Sequence, residues 1–165
     1  MGFKENLVEK EYKSPFPKKN RLNLIIPKTT TKFVERSTKQ FAEIGNICGD
    51  IVNLIDGNVA IFFPSYELMH NIGGFIGRET QKPIFTEKSI MTKQEKENLL
   101  AAFRSHKSSA ILFGTSTGSF GEGIDMPGVL QAVIIVGLPL NKPDVEARLL
   151  IEYYDDKFGK GFEYG

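Results

Sequence analysis

The chain has 165 residues, 41% hydrophobic and 25% charged, with a formal net charge of +1, the balance of a soluble domain large enough to bury a core. So small a net charge excludes bulk attraction to nucleic acid and leaves any such contact to locally placed donors. The single cysteine, Cys48, excludes an internal disulfide, a four-cysteine zinc site and an iron–sulfur cluster ligated within the chain; the apolar runs are also too short for a membrane span.

Residues 1–20 are polar and carry Pro15 and Pro17, so they are expected to form an extended segment leading into a domain over 21–165. The opening MGFKENLVEKEY has no apolar core of a secretory signal, and an intracellular protein is expected. Leu22–Ile26, closed by Pro27, has the length and flanks of a strand. Thr29–Lys32 then offers start signals for a long helix, with Phe33, Phe41, Ile44, Cys48, Ile51 and Ile55 as its apolar stripe and Asp56-Gly57-Asn58 as its stop. Val59–Phe63 is continuously apolar, the pattern of a strand buried on both faces of a parallel sheet. Pro64-Ser65 turns into a short helix, Tyr66–Ile72, which Gly73-Gly74 should end.

Pro83–Thr86 is a further strand candidate, and Thr92-Lys93-Gln94-Glu95 is a capping box opening a helix with Leu99, Leu100 and Phe103 inward. Ala110–Phe113 and Ala132–Val136 are expected as two more buried strands, separated by a glycine- and hydroxyl-rich loop. The last helix is expected from Asp144 to about Phe158, with Val145, Leu149 and Tyr153 on one side and Gly159 as its break. Strands alternating with helices imply an α/β fold, a parallel sheet flanked by helices on both faces. Ligands of such sheets sit at the carboxyl ends of strands, which selects Pro64–Tyr66, Gly114–Asp125 and Gly137–Lys142.

Gly114–Asp125 reads GTSTGSFGEGID and is the most informative stretch. Glycines let backbone amides approach phosphate oxygens, and the hydroxyls of Thr115, Ser116, Thr117 and Ser119 can donate to the same oxygens. Glu122 and Asp125 would repel phosphate and suit a sugar hydroxyl or a neighbouring cation instead. A plain polar surface loop has the same composition. The loop is not a Walker A motif, because no Gly-Lys-Ser or Gly-Lys-Thr occurs in the chain, and no Asp-Glu pair follows a buried strand to hold magnesium. His70 and His106 lack metal-ligand spacing, Cys48 falls within a helical stripe, and Lys18-Lys19-Asn20-Arg21 suits a solvated segment as well as a phosphate contact. No complete catalytic set and no metal site is expected.

The order of these segments resembles the second, RecA-like motor domain of the XPD/DinG-type superfamily 2 DNA helicases. Ser14-Pro15-Phe16 looks like the family's SPF element, VAIFFPSY over Val59–Tyr66 like motif IV, KPIFTE over Lys82–Glu87 like the segment after the next helix, and GSFGEGID over Gly118–Asp125 like motif V. The resemblance implies a P-loop NTPase-type fold. It places Glu122, Gly123 and Asp125 at a nucleotide cleft between two motor domains, and Ser65, Tyr66, Thr115, Ser116 and Thr117 against the backbone of single-stranded DNA.

It further implies ATP and magnesium held mainly by the first motor domain, which would be a partner together with single-stranded DNA, and it allows an iron–sulfur cluster, as in many relatives, in the full-length parent but not in this chain. On this resemblance the chain stops before motif VI and is inactive as an ATPase alone. A cytoplasmic or nuclear role in DNA repair is implied as well, with no membrane. Two other readings stay open on the residues: a non-catalytic RecA-like module binding DNA or protein, and a small α/β enzyme acting on a phosphorylated metabolite.

Overall fold

The computed structural model describes residues 10–15, 17–106, 109–121, 126–138 and 145–159. In chain order they form α1 (Thr38–Leu54), β1 (Asn58–Phe63), α2 (Tyr66–Glu79), β2 (Ile84–Thr86), α3 (Lys93–Ser105), β3 (Ile111–Thr115), β4 (Leu130–Ile135) and α4 (Val145–Phe158). The four strands make one parallel sheet in the order β2-β3-β1-β4. Successive residues of β1 point to opposite faces and serve two cores. Val59, Ile61 and Phe63 meet α1 and α2 on one side, while Ala60 and Phe62 meet Phe103, Leu99 and Leu100 of α3 on the other. The α/β sandwich expected from the sequence is therefore the fold.

Local chemistry explains most boundaries. Ser37 accepts from the Gln40 amide at 3.2 Å and starts α1, while Gly57, at φ +142°, takes the turn into β1 that a side chain would strain. The Thr92–Glu95 capping box is formed on both sides, and its hydrogen bonds from the Thr92 backbone and hydroxyl hold the Glu95 carboxyl below the usual range. Burial pushes the Cys48 thiol up to about 11, so it stays neutral as a small apolar group of the core.

Four expectations are corrected. Leu22–Ile26 is not a strand: it runs along the surface with Ile25 90% exposed, because an apolar run becomes a strand only where another strand accepts its hydrogen bonds. The first long helix begins at Thr38 and not near Thr29. A single 3-10 turn, Phe33–Glu35, precedes it and leaves Phe33 80% exposed, since Ser37 supplies the side-chain cap. Gly73-Gly74 do not end α2, which runs on to Glu79. At Gly73 the missing side chain makes room for the Phe113 ring, 2.8 Å from where a Cβ would stand.

The fourth strand is half-exposed along alternate residues instead of buried on both faces. Gln131, Val133 and Ile135 point away from the packed side, because among the described residues β4 is an outer strand of the sheet. The last helix is found as expected, Val145–Phe158; it has no buried residue among those described, and Val145, Leu149 and Tyr153 are exposed.

At the end of the sheet where the strands begin, Lys82 donates from Nζ to the carbonyls of Val52, at 2.8 Å, and Ile55, closing the carboxyl end of α1. Lys82→Met keeps the aliphatic stem but loses both bonds. It should cost about 1 kcal/mol and lower the melting temperature by a few degrees in a circular dichroism melt. An unchanged transition would show that water replaces the ammonium at no cost.

Candidate functional site

Because β2, β3 and β1 are neighbours, the segments leaving their carboxyl ends lie side by side. The ladders run past the strands: Glu87 N donates to Phe113 O and Ser116 N to Phe63 O, both at 2.9 Å. Three separate parts of the chain thereby meet: Ser65 and Tyr66 after β1, Glu87 after β2, and the loop 115–121 after β3.

Glu87 lies beneath them, 1% exposed. One carboxylate oxygen accepts from the Thr115 amide at 2.9 Å, the other from the Ser119 amide at 2.7 Å. The loop closes on itself through Gly118 N to Thr115 O, at 3.0 Å, and Gly121 N to Gly118 O, at 3.1 Å. Its turns leave no room for side chains at two glycines. A Cβ on Gly118 would stand 2.7 Å from both Glu87 oxygens, and one on Gly121 only 2.2 Å from the Ser116 carbonyl oxygen. The Tyr66 hydroxyl sits beside Thr115 and Glu87. Burial raises the phenol's pKa, the Thr115 hydroxyl partly opposes the rise, and Glu87 adds to it.

The site residues expected from sequence fall into three groups. Ser65, half-buried, caps α2 by accepting from the Leu68 amide at 3.2 Å, and Tyr66 is half-buried at the first turn of that helix. Thr115 is 1% exposed and turns its hydroxyl inward, where Oγ1 has no hydrogen bond of normal geometry, so it does not present a surface donor. Ser116 is half-buried and Thr117 exposed, the outward members of the set. Glu122, Gly123 and Asp125 lie outside the described residues. They follow directly on Gly121 and precede Met126, which packs against the α3-side core.

His70 is exposed on α2 and His106, at the end of α3, meets the Phe85 ring; neither belongs to a metal-binding group among the described residues. Lys18–Asn20 is an exposed 3-10 turn remote in sequence from the loop. An open groove of about 450 Å³ runs from Tyr66 and Glu87 along α2 past Met69, His70 and Gly73.

Glu87 is the residue that sequence reasoning missed. Its signal was a carboxylate placed immediately after a short apolar strand, at the edge where α/β sheets bind ligands. A charge there is readily taken for the solvated end of the strand, and only the sheet order shows that β3 and its loop fold over it.

Comparison with known proteins shows the family of the chain. Residues 48–164 match the model of the helicase C-terminal domain family. The chain is 29% identical over 128 residues to the ATP-dependent DNA helicase DDX11 of Homo sapiens, covering 67% of this chain and 13% of that protein. It is 28% identical over 139 residues to the ATP-dependent DNA helicase DinG of Photobacterium profundum, covering 79% of this chain and 18% of that protein. An apo XPD structure superposes with a TM-score of 0.58 at 22% identity, over 75% of this chain and 25% of the XPD chain, which shows a shared fold. The chain thus spans less than a quarter of the length of the curated relatives it matches. With the sheet, the three converging segments and the family match in agreement, the chain belongs to the helicase C-terminal domain family of the XPD/DinG-type superfamily 2 helicases.

Proposed function

We propose that this chain forms one wall of the ATP cleft and of the single-stranded DNA track in an ATP-dependent DNA helicase, and does not hydrolyse ATP alone. The observation that carries the reading is the convergence of the Ser65–Tyr66 turn, Glu87 and the 115–121 loop at the carboxyl edge of the sheet. Hydroxyls and backbone amides arranged on such an edge grip a phosphate backbone without reading bases, which suits a motor that must advance over any sequence. Ser116 and Thr117 face outward and carry the grip; Ser65 and Tyr66 set the rim by capping and anchoring α2, and Thr115 shapes the loop from inside.

Glu122, Gly123 and Asp125, continuing from Gly121, are assigned to the nucleotide side, with Asp125 suited to a ribose hydroxyl or a facing motif residue. Among the described residues no group of three or more candidate ligands could hold a metal, and the buried carboxylate, Glu87, spends both oxygens on amides. We assign metal and triphosphate binding mainly to the other motor domain of such a helicase, since phosphoryl transfer needs both walls together.

The test is fluorescence anisotropy with a labelled single-stranded oligonucleotide at low and moderate salt. Binding should be insensitive to sequence, weaken as salt rises, and fall when Ser116 and Thr117 are both changed to alanine. No binding at low salt, and none gained on adding the first motor domain of a relative, would overturn the DNA-track assignment.

A further inference from the structure

A buried carboxylate is costly unless its oxygens are satisfied, and few sequences keep one without a use for it. Among the described residues no lysine or arginine pairs with Glu87. Its partners are the amides of Thr115 and Ser119, four residues apart in a single loop, with the Tyr66 phenol alongside. The neighbouring chain leaves space for it: a Cβ would meet a Glu87 oxygen at 3.3 Å from Gly114 and at 2.7 Å from Gly118. Two donors from one loop need two acceptors a fixed distance apart, and a carboxylate is the side chain that supplies them.

We propose that Glu87 is the positioning residue of the 115–121 loop. Its two oxygens fix the separation of the Thr115 and Ser119 amides and so the direction in which Ser116 and Thr117 face. Contact with Tyr66 ties that geometry to the first turn of α2, so that the motif IV and motif V segments are set by one side chain. The loop geometry stands on the contacts themselves; its consequence for ligand grip rests on the function proposed above. Glu87 touches neither DNA nor nucleotide and acts through the loop.

Glu87→Gln separates this role from simple space filling. The amide has the same shape but offers one acceptor, and it turns an NH2 donor against one of the two loop amides. In hydrogen-exchange NMR on the chain, the protection of the Thr115 or Ser119 amide should fall about tenfold or more relative to the amides of β1. Oligonucleotide affinity should fall with it. Lys82→Met, which loosens the opposite end of the sheet, should lower the melting temperature while leaving that protection ratio and the affinity as in the wild type.

Unchanged protection of both amides in Glu87→Gln, or an equal loss in Lys82→Met, would overturn the proposal. So would equal affinity of Glu87→Gln and a wild type that binds. If the wild type binds no DNA, the function proposed above falls, and the exchange result alone decides the role of Glu87. Should Glu87→Gln fail to fold, Glu87→Asp keeps both acceptors but draws them back by one methylene, and is expected to give the same selective loss of loop protection.

Discussion

Ile61→Asp should abolish the cooperative thermal transition of this chain. Ile61 is 0% exposed, and its strand is hydrogen-bonded on both sides, with Phe113 of β3 and Ile134 of β4 as register partners. Its side chain lies in the core beneath α1 and α2, where the described neighbours are apolar. A carboxylate there has no partner and no water, at a cost of several kcal/mol, which a domain stable by only about 5–15 kcal/mol cannot absorb alongside the lost apolar contacts. Ile61→Val serves as the control, removing one methyl group for about 1 kcal/mol. Circular dichroism melts of the three proteins decide the matter. A sharp transition for the aspartate variant at the parental temperature would mean that the strand is not central.

Gly121→Ala should reduce oligonucleotide affinity at least about tenfold while the sheet still melts cooperatively. The expected ranking comes from what the added methyl would meet. It would stand 2.2 Å from the Ser116 carbonyl oxygen, 2.8 Å from the Ser116 carbonyl carbon and 3.1 Å from the Thr115 carbonyl oxygen. All three are backbone atoms, so no rotamer change relieves the overlap. The loop must open, and the Gly121-to-Gly118 hydrogen bond is the first contact to go. Overpacking of this kind typically costs about 1–3 kcal/mol, enough to deform one loop but not to melt two cores. Wild-type affinity in this variant would show that the loop's closed shape is irrelevant to DNA.

What the sequence revealed follows from the range of the forces involved. Short-range chemistry was legible: the Thr92–Glu95 box, the turn at Gly57 and the strand character of Val59–Phe63 are each set by a few neighbouring residues. What depended on a distant partner was not. Leu22–Ile26 has the composition of a strand and no strand partner among the described residues, and Gly73-Gly74 look like a stop until the Phe113 ring is seen against them.

The site divides the same way. Loop 115–121 could be singled out because glycine and hydroxyl content is local information. The inward turn of Thr115 and the burial of Glu87 depend on β2 and β3 being adjacent, which no run of either segment announces. The KPIFTE likeness drew attention to the right segment without giving its last residue a task.

The strand order also has a consequence in time. A ribosome delivers β1 before either of the strands that flank it, yet β1 ends between β3 and β4. This buried strand must therefore wait, both edges unpaired, until residue 111 and then residue 130 have been made. At about 5–20 residues per second that wait lasts on the order of seconds. For that interval α1 and α2, already synthesised, are the available cover for one face of Val59–Phe63, while the other face stays bare until α3 arrives. The site at the carboxyl edge, built from the ends of β1, β2 and β3, can therefore assemble only once the loop to residue 121 has been made, although its first members, Ser65 and Tyr66, were in place about fifty residues earlier.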